Sequence, residues 1–154
     1  MYNQGKTDES LALLKQIEQK GNDIYADEAG LKIINILFEQ NKTDEAIYKL
    51  EFFAKNANID ALKHIALIKL AAYKVDSSTP DDIKSILSPL LDNTVNNVWK
   101  TEAKELLALS YLNSNQTDQA IKLYSEILKE NNVNDILRAR AQNMISVLNS
   151  DEDK

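Results

Sequence analysis

A chain of 154 residues is long enough to bury a hydrophobic core, either as one compact domain or as a short stack of repeats. Its net charge of −6, with Arg138 and Arg140 as its only arginines, argues against nucleic acid or an anionic bilayer as partner, since both are bound through clustered Lys and Arg. The absence of cysteine excludes a disulfide framework, thiolate catalysis and cysteine-ligated zinc.

Three glycines, two prolines and apolar residues at helical spacing, with no stretch of strand period, predict an all-α chain. Helices are expected at 8–20, 24–40, 44–57, 60–75, 80–92, 97–113, 118–130 and 134–149. The first carries Leu11, Leu14 and Ile17 on one stripe with no partner helix before it, a candidate exposed end face through which copies could associate. Gly21-Asn22-Asp23 connects it to a second helix with Ile33-Ile34 and Leu37. A third follows Asn41-Lys42-Thr43, with Ala46, Leu50 and Phe53. The helix from Asp60 to Val75 is apolar almost all round, which fits a central buried helix or the floor of a ligand groove. The fifth contains Pro89, expected to kink or end it. Further connectors fall at Asn93 to Asn96, Asn115-Gln116-Thr117 and Asn131 to Val133. Such short loops make neighbouring helices antiparallel.

A signature punctuates this order. Lys6-Thr7-Asp8-Glu9, Lys42-Thr43-Asp44-Glu45 and Gln116-Thr117-Asp118-Gln119 share it, and Thr79-Pro80-Asp81-Asp82-Ile83 is a degenerate copy. The threonines are 36, 36 and 38 residues apart, the spacing of a helical solenoid. Threonine before acids reads as a helix N-cap at the positive end of the dipole, and Pro80 suits the first helical position. The motif is therefore structural.

The segment from Asn97 to Glu130 places Leu107-Ala108, Tyr111, Ala120 and Tyr124 at the spacing of the tetratricopeptide repeat, and the chain resembles that family over nearly its whole length. The resemblance implies a right-handed α-solenoid of about eight helices in one domain, 1–149. Pairs would lie at 24–57, 60–92 and 97–130, flanked by helices 8–20 and 134–149 and followed by a disordered tail at 150–154. Leu137, Ala141, Ile145 and Leu148 would make the last helix a cap. Tyr25-Ala26-Asp27-Glu28-Ala29, the Ala66 to Tyr73 helix and Trp99-Lys100-Thr101-Glu102-Ala103 also look like the periplasmic arrays of bacterial inner-membrane proteins related to the ancillary Sec translocon subunit. That likeness implies an upstream membrane anchor and a periplasmic location, the alternative being cytoplasmic.

No chemistry stands out. His64, the sole histidine, has Leu67 and Ile68 at i+3 and i+4 rather than metal ligands. Gly5, Gly21 and Gly30 are isolated, so there is no phosphate loop. Asn41-Lys42-Thr43 and Asn115-Gln116-Thr117 match the N-glycosylation pattern, yet each overlaps a repeated capping turn. The expectation is a non-enzymatic scaffold with no catalytic residue, cofactor or metal. The resemblance implies that first helices line a groove, at Glu28, Leu31, Asn35, His64, Leu67, Ala71, Glu102, Glu105 and Leu109. Glutamates there suit an apolar or basic protein segment rather than a carboxylate. The alternative is a homo-oligomerising assembly domain joined through the first helix.

Overall fold

The computed structural model describes residues 2–21, 24–92, 98–131 and 133–152, and every regular element among them is helical. The order is α1 (Tyr2–Lys20), α2 (Ile24–Glu39), α3 (Thr43–Asn56), α4 (Asp60–Lys74), α5 (Pro80–Leu91), α6 (Lys100–Asn113), α7 (Thr117–Lys129) and α8 (Asp135–Glu152). The helices form an all-α helical-repeat fold. They divide into two compact units, Met1–Leu70 and Ala71–Lys154, the boundary lying inside α4. Asn22-Asp23, Asn93 to Asn97, Asn132 and the tail residues Asp153-Lys154 lie outside the described residues. The tail residues Ser150 to Glu152 continue α8.

In the first unit α2 packs against both α1 and α3. Ile33, Leu37 and Ala46 form a buried cluster that Leu11, Leu14 and Phe38 cover. Ala29, Ile34, Leu50 and Phe53 are buried beside them, each large side chain contributing roughly 1.5–3 kcal/mol on leaving water. Gly30 is required here by packing. A Cβ built on it would lie 2.9 Å from Cε2 of the buried Phe53 and 3.1 Å from a Glu18 carboxylate oxygen. Gly30→Ala is therefore expected to destabilise the unit by about 1–2 kcal/mol despite alanine's better helix propensity, and Phe53→Leu in the same chain should recover part of the loss. Urea unfolding of the two single variants and the double variant reads that coupling.

Asp27 ties α2 to the start of α4. Its carboxylate, 5% exposed, accepts hydrogen bonds from the backbone N–H of Asn58 (2.7 Å) and Ile59 (2.8 Å) and from Asn58 Nδ2 (3.1 Å). Farther along, Lys69 Nζ on α4 donates to Asn35 Oδ1 on α2 at 3.3 Å.

In the second unit α6 packs on α5 and α7, and α7 on α8. Ala108, Ala120, Tyr124, Ile127, Val133, Leu137 and Ala141 form its core, with Ile145 and Leu148 at the edge. Burial pushes the Tyr124 phenol up to about 12. Asn113 Nδ2 donates to Val75 O and Asp76 Oδ1.

Buried positions correct the repeat length. Ala46, Ile83 and Ala120 are buried, as are Leu50, Leu87 and Tyr124, and then Phe53, Leu90 and Ile127. Within each set the residues are 37 apart, so the period is an even 37 rather than 36 and 38. The first helices agree: Ala29, Ala66 and Ala103, then Ile33, Leu70 and Leu107, are buried in the same register. The threonine ruler slipped because its copies occupy different helix positions. Thr43 and Thr117 begin α3 and α7, after Lys42 and Gln116, which make no side-chain cap. Thr79 precedes α5 as a true N-cap. Its hydroxyl accepts from Asp82 N while Asp82 Oδ2 accepts from Thr79 N, a reciprocal capping box. Hydrogen bonds from the Thr79 hydroxyl and N–H hold the Asp82 carboxyl below its ordinary value. Thr7 lies inside α1.

What the signature punctuates is the end of the preceding helix. Asn41 and Asn115 have φ of 58° and 57°, the left-handed conformation that asparagine tolerates. Lys42 N bonds Leu37 O and Asn41 N bonds Phe38 O. Gln116 N bonds Tyr111 O and Asn115 N bonds Leu112 O in the same way. This is the Schellman arrangement, which satisfies two orphan carbonyls at each helix end. No such turn occurs at Lys6, which lies inside α1. Pro89, expected to kink or end its helix, sits within α5, which continues to Leu91. The Ser85 carbonyl that proline cannot serve is taken by the Ser88 hydroxyl at 2.9 Å.

Candidate functional site

α2 is floor to a groove whose walls are α1 and α3. Ile33 and Leu37 point up from α2, with Lys15 on one side and Glu45, Tyr48, Lys49 and Phe52 on the other, around a cleft of about 300 Å³. Tyr48 and Phe52 are one helical turn apart and are 75% and 62% exposed. In the 37-residue register their counterparts are Ser85 and Pro89, then Lys122 and Glu126. The other repeats thus put polar or short side chains where the first exposes two aromatic rings.

The same groove recurs in the second unit. Leu107 and Tyr111 on α6, with Gln119, Lys122, Leu123 and Glu126 on α7, line a cleft of about 270 Å³, opposite Lys84 and Leu91 of α5. Each α6 and α7 residue stands 74 positions, two repeats, after its counterpart in the first cleft. The chemistry has diverged. Lys104 takes the place of Gly30, and Ile127 that of Phe53, which leaves room for the lysine stem. Its ammonium reaches Glu130 at 2.9 Å and Glu126 at 3.2 Å, and Lys100 lies 3.9 Å from Glu130. Burial works against the Lys104 charge, but its hydrogen bonds to the two glutamates outweigh that and hold the ammonium above the usual lysine range. The hydrogen bond from Lys104 holds Glu130 below the ordinary carboxylate value.

The pair stabilises the folded chain at pH values between the two ordinary ranges. Its contribution fades as acid protonates Glu130, and again as Lys104 loses its proton above the usual lysine range. Glu130→Gln is expected to cost ~0.5–1 kcal/mol near neutrality and to flatten the acid limb of stability against pH, measured by urea unfolding.

The expected groove residues of α2 and α6 lie on the side of the helix away from these clefts. Glu28, Leu31 and Asn35 are about half a turn round α2 from Ile33 and Leu37. Glu28 and Asn35 are exposed, and Leu31 is half-buried. On α4, His64 and Leu67 are half-buried, whereas Ala71 is fully buried and open to no groove. The slip in the ruler accounts for this: in the 37-residue register the α4 counterparts of Glu28, Leu31 and Asn35 are Ile65, Ile68 and Ala72, and Ala72 is exposed. On α6 Leu109 is half-buried, and Glu105 accepts from Arg140 Nη2 of α8 at 2.9 Å. Burial raises the Glu105 carboxyl against the pull of Arg140, with the like charge of Glu102 adding to it. One Glu102 carboxylate oxygen is buried with no hydrogen-bond partner.

The end face is split as well. Leu11 and Leu14 turn inward on to Ile33, Leu37 and Ala46, because α1 packs on α2 with that stripe. Ile17, 45% exposed, is joined on the outside by Leu13 at 55%. The missed residues, Tyr48 and Phe52, were visible as an i, i+4 aromatic pair, and only the correct period shows that the pair departs from the other repeats. Among the described residues no cluster of three or more His, Asp or Glu could hold a metal, and no helix is long and apolar enough to cross a membrane.

A family model described as tetratricopeptide repeat-like domain matches residues 1–147. No curated protein and no solved structure matches the chain.

Proposed function

Because the chain belongs to the tetratricopeptide repeat-like domain family, whose members generally mediate protein–protein interaction and are typically not enzymes, we propose that it is a non-catalytic adaptor that holds a protein segment in the α1–α3 groove. The exposed Tyr48–Phe52 pair carries this reading. Exposed aromatic rings beside an apolar cleft are the surface a partner's side chains can desolvate, and the repeat's own pattern puts no such rings at the counterpart positions. A photo-crosslinking residue placed at Tyr48 should yield adducts with a partner protein, and one at Lys122 should not. Equal labelling at the two sites would remove the assignment.

A finer role, an anchored periplasmic array assisting secretion or envelope assembly, is supported by the resemblance of the Tyr25–Ala29, Ala66–Tyr73 and Trp99–Ala103 segments. Fractionation of the source cells tests it: recovery with the cytosol would count against it. Exposure of Leu13 and Ile17 favours self-association through α1 as the second reading. Light scattering that gives one monomer mass across a hundredfold concentration range would dismiss it.

A further inference from the structure

The apolar cleft does not end at Phe52. Lys49 and Phe52 also line a second cleft of about 430 Å³, which continues along α3 past Gly21 to Asp27, Asn56 and Asn58. Tyr48 and Asn56 are eight residues apart on one helix, about 12 Å. The groove therefore has an apolar section and a polar section on one line.

The polar section carries net negative charge, Glu18 and Asp27 against Lys49. Asn56 Nδ2 donates to Phe52 O at 2.8 Å, and Asn58 uses both its backbone N–H and its Nδ2 on Asp27. The Lys49 ammonium is held 2.7 Å from Glu18 Oε1, so its charge is matched. What remains is the Asp27 charge, the Oδ1 atoms of Asn56 and Asn58, and the negative end of the α3 dipole with its last carbonyls. The unmatched charge there is negative, so it repels a carboxylate or phosphate and attracts an ammonium or guanidinium.

Resting on the reading of this groove as a docking site, we propose that its occupant is a segment of a partner protein that seats large apolar side chains between Tyr48 and Ile33 and, about 12 Å along, a lysine or arginine over Asn56 and Asn58. The spacing corresponds to about four residues of extended chain or eight of helix.

Fluorescein-labelled peptides test this by anisotropy on the full chain. Each carries Leu-Phe and ends in Arg, Ser or Glu, four residues on in an extended series and eight on in a helical one. The Arg-ended member of one series should bind about tenfold more tightly than its Glu-ended twin, as one charge-assisted contact would give. Phe52→Ser should abolish binding of all. Asn56→Lys, at an exposed position, should erase the preference for Arg over Glu. Equal binding of all three endings, still lost in Phe52→Ser, overturns the basic occupant and leaves the groove standing. Binding that survives Phe52→Ser, or no binding by any peptide, overturns both.

Discussion

Replacing Asp27 by alanine is expected to cost about 3 kcal/mol, one of the largest losses available to a single substitution in the first unit. The carboxylate receives the N–H groups of Asn58 and Ile59 and the amide of Asn58, all within 3.1 Å. Removing it strands two backbone donors just before α4 and opens the joint between α2 and that helix. Each hydrogen bond to a charged acceptor is worth ~1.5–3 kcal/mol, and the three act as one unit, so their values do not add. Asp27→Asn, which keeps one acceptor oxygen, should recover part of the loss. Chemical denaturation reads both, and a loss below about 1 kcal/mol for the alanine variant would show that the joint is held elsewhere.

Leu90→Ala is the second large effect, expected at about 3 kcal/mol, because a fully buried side chain would leave a cavity. It is paired with a substitution at its neighbour. Counting from the threonines, as Thr43 leads to Phe53, makes Pro89 the buried position of α5. Counting by 37 from Phe53 makes it Leu90. Pro89 is exposed, so Pro89→Ala should cost nothing and should gain up to about 1 kcal/mol as an N–H returns to the Ser85 carbonyl. Thermal unfolding of the two variants separates the registers, and a large loss at Pro89 with none at Leu90 would restore the threonine ruler.

The helices and the repeat class were legible because they rest on periodicity, which survives divergence: Ala46, Leu50 and Phe53 stand at helical spacing in the sequence, and all three are buried. The register was not, because Thr79 and Thr43 look alike in sequence while one stands outside its helix and the other inside. Only hydrogen bonds tell them apart: Thr79 exchanges bonds with Asp82, whereas the turn before Thr43 is closed by left-handed Asn41. A one-residue slip turns a helix face by about 100°, which carried the expected α4 site from exposed Ala72 to buried Ala71. The expected groove side came from a family likeness, and pattern alone cannot say which side of α2 keeps an open cleft. Gly30 illustrates the difficulty. Its role depends on the Phe53 ring and Glu18, residues on two other helices.

The function proposed for the chain depends on which side of α2 receives a partner. Methyl and amide NMR of the full chain, titrated with the Arg-ended peptides, tests that directly. Shifts concentrated at Ile33, Leu37, Tyr48, Phe52 and Asn58 are the predicted result. Shifts at Glu28, Leu31, Asn35 and Glu102, with the α1–α3 groove unchanged, would contradict it.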